Sequence, residues 1–186
     1  MASIIRIKSL IYATRNELKF QVATRVLAES GIVLIQNKLD LPEIQSIHVE
    51  EIARYAAICA SQKLVQPVAV TDAGFYMTAL NGFPGPFVRY TNEWFSPQDY
   101  LNLMHDKQDR RVVVRECLAF CMPEEEPVTL GATHEGQLTR KAGQKRGTSM
   151  DQIFIPAGHS VPVSEISTEE MIANWSNASI WKQLKQ

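Results

Sequence analysis

Polar and apolar positions divide the chain into segments of two periods. Ile4 to Ala13 is apolar with Arg6 and Lys8 alternating out of it, which predicts a strand. Thr14-Arg15-Asn16 breaks that pattern, and Leu18, Val22 and Val26 then recur at helical spacing as far as Gly31. Ile32 to Ile35 predicts a second strand. Val49, Ile52, Ala56 and Cys59 predict a helix from about His48 to Leu64. Val68-Ala69-Val70 is a short β-branched run suited to the interior of a parallel sheet, with Asp72 expected where that strand emerges. The first 70 residues therefore read as β-α-β-α-β. Farther on, Ser96-Pro97 opens a helix with Tyr100, Leu101 and Met104 on one face. Arg111 to Met122 and Pro127 to Thr139 predict two long strands around a charged, solvated tip, Pro123-Glu124-Glu125-Glu126. Ser167-Thr168-Glu169-Glu170 reads as a capping box for a last helical region that packs Ile180, Trp181 and Leu184 inward. Trp175 reads as a buried residue of that region in preference to one that stacks on a ligand.

Composition narrows the function classes. With 186 residues, 45% of them hydrophobic, the chain suits a single α/β domain over 1–186. The net charge of −1 gives no global attraction to nucleic acid polymers or anionic membranes, so any anion site must be local. Apolar runs stay far below the ~20 residues needed to span a bilayer, and a cytoplasmic protein is expected. Cys59, Cys117 and Cys121 are odd in number and lie in apolar segments, which predicts reduced packing residues. His105 and His134 are given no chemistry, and the basic run from Arg140 to Gly147 reads as a solvated turn.

Candidate chemistry concentrates between Val68 and Tyr90. An acid, Asp72, is followed by turn-forming Asn81-Gly82 and Pro84-Gly85-Pro86 and then by the fixed cation Arg89. An acid, a shaped loop and a cation at a sheet end suit a metal-bound phosphate ligand. By residue type alone the stretch also reads as a strand with a capping Asp and a structural loop. The Thr14–Asn16 turn, at a predicted helix amino terminus with Lys19 one turn in, can hold phosphate oxygens or serve only as a cap.

The spacing of Asp72, Gly74, Ala79-Leu80-Asn81-Gly82, Pro84-Gly85, Phe87, Arg89 and Tyr90 resembles the central signature of the inosine triphosphate pyrophosphatase family. The resemblance extends to Thr14, Asn16 and Lys19, to Leu41-Pro42-Glu43, and to Asp151, Phe154 and Pro156, and so covers nearly the whole chain. It implies an elongated α/β fold with a mixed central sheet, flanking helices and a cleft between two lobes, and a homodimer. It also implies Mg²⁺-dependent hydrolysis of a nucleoside triphosphate to monophosphate and pyrophosphate. In that scheme Asp72 binds metal or activates water and Glu43 holds metal. Thr14, Asn16, Lys19, Arg54 and Arg89 face the phosphates, and Met150, Asp151 and Ser176 face the base. The chain departs from the pattern at Arg15, which replaces a glycine and either obstructs close backbone approach or adds a phosphate contact, and at Ala73, Met150 and Gln152. A lysine followed by Ser-His-Arg becomes Ile172 followed by Ser176-Asn177-Ala178. Those losses imply altered base specificity. The alternative is a relative without turnover that serves as a nucleotide-binding or dimeric interaction protein.

Overall fold

The computed structural model describes residues 8–185. The first strand, β1 (Ser9–Ala13), is the end of the expected one, and Ile4 to Ile7 lie outside the described residues. Asn16 caps α1 (Glu17–Ala28) by accepting the Lys19 backbone N–H, and the helix buries Val22, Ala23, Val26 and Leu27. β2 (Val33–Asn37) and α2 (Val49–Leu64) follow as expected, apart from a shift of the strand toward Asn37. β1 runs parallel to β2 from Ser9↔Val33 to Ala13↔Asn37. It is also parallel to β3 (Val68–Met77), but only at Ile11↔Val68 and Tyr12↔Ala69.

From there the sheet changes character. β3 pairs antiparallel with β5 (Arg111–Cys121) along its full length, β5 with β6 (Val128–Leu138), and β6 with β7 (Phe154–Pro156). The strand order is β2-β1-β3-β5-β6-β7, with β4 (Pro84–Gly85) added on β3, so the sheet is mixed and seven-stranded. Glu124, Glu125 and Glu126 are exposed at the β5–β6 turn, as their charge requires.

Alternation along the strands divides the core. Leu10, Tyr12, Ala69 and Leu118 face α1 and meet Ala23, Leu27 and Trp181. Ala13, Val68, Val70, Cys117 and Ala119 face the other way and meet Val49, Ala53, Ala57 and Ala60 of α2. A third cluster, with Met77, Tyr100, Met104, Val112, Met150, Ile153 and Phe154, fills the far end of the sheet. It is covered by α4 (Pro97–Leu103), which a Ser96–Asp99 capping box opens, while α3 (Val88–Trp94) connects the two ends. Ten residues of β3, about 33 Å of extended chain, join the clusters. This is the expected elongated α/β fold with two lobes.

α5 (Thr168–Asn177) begins at Ser167, which accepts the Glu170 backbone N–H, and a 3-10 segment (Ile180–Lys185) closes the chain. Trp181 is buried edge-on to Tyr12, their ring centres 4.8 Å apart. Trp175 corrects the sequence reading: it is 38% exposed, because α5 buries Met171 and Ser176 instead. All three cysteines are free, Cys117 and Cys121 buried and Cys59 half-buried.

Candidate active site

Asp72 lies in the middle of β3 opposite Cys117, and the expected strand end at this residue is not there. The reason is the antiparallel partner: β5 continues to satisfy the β3 backbone out to Met77. What ends near Asp72 is the parallel half of the sheet. β1 stops at Ala13 and β2 at Asn37, and the chain after each turns over the middle of β3. A cavity of about 310 Å³ opens there. Its lining includes Arg15, Asp40, Glu43, Ala56, Thr71, Asp72 and Arg89. The acid is at a sheet edge after all, but the edge belongs to its neighbours.

Burial pushes the Asp72 carboxyl up to about 6, opposed by the Lys19 charge and an Ala73 backbone hydrogen bond and reinforced by Glu43. Its Oδ2 is buried without a hydrogen-bond partner. A buried carboxylate oxygen left this way is costly unless something electropositive meets it.

The signature loop builds the opposite wall. β3 runs into a 3-10 turn (Thr78–Leu80), Asn81 and Gly82 take positive φ, and β4 folds back so that Phe75 pairs with Gly85 and Tyr76 with Pro84. Gly74 permits this return. A Cβ there would sit 2.8 Å from the Gly85 carbonyl carbon and 2.9 Å from the Pro86 nitrogen. The fold-back starts α3 beside the β2–α2 loop, where Arg89 Nη1 donates to Glu43 Oε2 at 2.9 Å and the Tyr90 hydroxyl donates to the same oxygen at 3.2 Å. Glu93 also pairs with Arg89, at 3.8 Å.

Sequence-derived site residues divide into those the fold gathers and those it does not. Glu43, Asp72 and Arg89 line one cavity. Thr14, Asn16 and Lys19 form the adjoining α1 amino terminus, where Thr14 Oγ1 accepts the Asn16 N–H at 3.1 Å and the Lys19 charge is felt at Asp72. Arg54 is not part of this group. Ile52, Ala53 and Ala56 are the α2 residues that face the cavity, and Arg54, about 200° around the helix from Ile52, points away. It bonds instead to the Pro127 carbonyl and to Glu126 at the β5–β6 turn. Residue spacing on α2 could have shown this before any coordinates.

Nor does the fold bring the three base-facing candidates to the cavity. Met150 is 1% exposed, packed in the far core because it occupies an apolar position beside Ile153 and Phe154, and only its backbone N–H reaches out, to Asn92 Oδ1 at 3.0 Å. Asp151 holds its own turn by accepting the Thr148 N–H at 2.7 Å. Ser176 lines a separate cavity of about 190 Å³ with Arg25, Glu29, Asn177 and Lys182, between α1 and the chain end. Sequence reasoning assigned no role to Asp40 and left Arg15 undecided, yet both line the main cavity, paired at 2.6 Å. Their signal was position: each follows a parallel strand at its carboxyl end.

The Ham1 family model matches residues 10–180. The chain is 35% identical over 161 residues to the dITP/XTP pyrophosphatase of Methanopyrus kandleri, a match that covers 87% of this chain and 86% of that protein. It is 34% identical to the dITP/XTP pyrophosphatase of Methanosarcina mazei over 78% of this chain and 79% of that protein. Among solved structures, a HAM1 protein from Coxiella burnetii shares the fold with a TM-score of 0.79 at 24% identity, over 96% of this chain and 97% of that one. The Staphylococcus aureus Ham1 protein gives 0.70 at 24% identity, over 88% of each. The chain belongs to the Ham1 family, as the Asp72–Tyr90 spacing had implied. Among the described residues no helix is long and apolar enough to cross a membrane.

Proposed function

We propose that the chain hydrolyses nucleoside triphosphates to monophosphate and pyrophosphate at the Asp72 cavity, with Mg²⁺ as cofactor. One observation carries the reading: a buried carboxylate oxygen, Asp72 Oδ2, without a partner, in a cavity that also holds Glu43 and Arg89. The relatives named dITP/XTP pyrophosphatase supply the substrate class.

The donor set suits Mg²⁺. Among the described residues no group of three His, Cys, Asp or Glu could hold a metal ion, so Asp72 and Glu43 would supply two oxygens and substrate phosphates and water the rest. When bound, the ion would offset phosphate charge and polarise the bond that breaks. The lining carries three carboxylates, Asp40, Glu43 and Asp72, against two guanidinium groups, Arg15 and Arg89. With Lys19 acting on Asp72 from the adjoining turn the fixed charges balance, so the site offers a polyphosphate no net positive charge and a divalent cation would supply it. Arg89 and Lys19 take phosphate oxygens from opposite walls, and Thr14, Asn16 and the α1 amino terminus hold the chain of phosphates in line. Asp72 accepts a proton from water or holds the ion, and its raised pKa makes it a better base while leaving it mostly ionised at neutral pH.

Altered base specificity rests on the substitutions Ile172, Asn177 and Ala178 against the family pattern alone, since Ser176 and Asn177 line the separate cavity between α1 and the chain end. The same reading has the protein act as a homodimer, supported by the resemblance alone, and in the cytoplasm, supported by the short apolar runs of the sequence. Incubation with a nucleotide panel and Mg²⁺, with products separated by ³¹P NMR, tests the reaction. Monophosphate and pyrophosphate in equal amounts are expected; diphosphate and orthophosphate would place the cleavage elsewhere.

A further inference from the structure

We propose that Arg15 is a phosphate ligand and that Asp40 holds it beside the cavity until substrate arrives. The inference rests on the reading of the cavity as a triphosphate site. Thr14, Asn16 and Lys19 keep the pattern of their turn, but Arg15 stands where that pattern has a glycine. An arginine in that turn could block the cavity. It does not, because Asp40 draws its guanidinium aside: Arg15 Nη2 meets Asp40 Oδ1 at 2.6 Å, and both residues line the cavity with Asp72 and Arg89.

The pair is suited to exchange. Both side chains are open to water, at 60% and 87% exposure, and ion pairs this exposed contribute little net stability. A phosphate offers the guanidinium fork two oxygens and more charge than one carboxylate. Asp40, once released, returns to water at no burial cost. The opposite wall shows the contrast. Arg89 shares Glu43, whose side chain is 39% exposed, with the Tyr90 hydroxyl, so its carboxylate partner is the more enclosed of the two, whereas Asp40 has no partner but Arg15 among the described residues.

α2 adds no cation to the cavity. Arg54 is spent on Glu126 and Pro127, and the α2 position that faces inward is Ala56. Arg15 thus supplies from the β1–α1 turn a cation that α2 does not. Its contacts are to phosphate and ignore the base.

Titration calorimetry of the full chain with inorganic tripolyphosphate and Mg²⁺ provides the test. Arg15→Gln is expected to raise Kd by about tenfold or more, Arg15→Lys to recover part of the loss, and Asp40→Asn to tighten binding a few-fold by freeing Arg15. In turnover, Arg15→Gln is expected to raise KM by a similar factor for every nucleotide, leaving their ranking unchanged. A Kd for Arg15→Gln within about twofold of wild type, or weaker binding by Asp40→Asn, would overturn the proposal. Wild-type protein that turns over nucleotide while Arg15→Gln binds normally removes Arg15 alone. Tripolyphosphate binding that depends on Arg15 without any turnover removes the enzymatic reading and keeps the ligand. No binding by wild type removes both.

Discussion

Replacing Asp72 with Asn is expected to stabilise the metal-free protein at neutral pH, by an amount that its environment sets. The folded-state pKa is about 6 and the ordinary value 3.8, a difference of about two units. At about 1.4 kcal/mol per unit, ionising Asp72 in the folded state costs up to about 3 kcal/mol more than ionising it in the unfolded chain. The sign follows from the raised value. Below pH ~4 the carboxyl is neutral in both states and the penalty is absent; it grows as pH rises through about 6 and is constant above. For a domain of this length 1 kcal/mol moves Tm by about 2–4 °C, so the variant should gain up to about 6–12 °C on wild type at pH 7 and nothing further as pH rises. The assay is thermal unfolding of both proteins in EDTA from pH 4 to 8. Parallel curves across that range would refute the reasoning, because they would mean that Asp72 ionises as it does in water.

Arg89→Ala should raise KM by at least about tenfold through loss of a phosphate contact, whereas Arg54→Ala, which breaks contacts with Glu126 and the Pro127 carbonyl at the β5–β6 turn, should leave kcat and KM within about twofold; steady-state kinetics on one nucleotide compares them. Gly74→Ala should destabilise the protein by about 1–3 kcal/mol in urea unfolding, since the added carbon meets backbone at 2.8 Å. Inosine triphosphate should be preferred over adenosine or guanosine triphosphate by less than about a thousandfold in kcat/KM, because a pocket short of donors discriminates weakly; a larger ratio in competition assays would show that other donors replace those missing at Asn177 and Ala178.

Much of the fold was legible because each element announced its own period. The helix expected from His48 to Leu64 is α2 within a residue, and the strands Arg111–Met122 and Pro127–Thr139 are β5 and β6 trimmed by one residue at their ends. The length of β3 was not legible. Its polar Thr71 and Asp72 look like an end, and only the partner strand, 40 or more residues away, keeps the backbone extended beneath them. Asp72, Glu43 and Arg89, named from the family spacing, line one cavity, and the fold-back at Gly74 explains why that spacing matters. Arg54 was misplaced because its charge was considered without its phase on α2. Met150 and Ser176 were assigned by resemblance, and their burial follows from contacts with α4, β7 and α1 that no local pattern records. Arg15 and Asp40 meet across 25 residues, a pairing that becomes visible only when β1 and β2 lie side by side.

The most direct measurement is the rate of pyrophosphate release by Asp72→Asn beside wild type at saturating Mg²⁺ and nucleotide, with circular dichroism confirming the same fold. If Asp72 holds the ion or activates water, the rate falls by at least ~10². Release within a few-fold of wild type would contradict the assignment and move the chemistry away from this cavity.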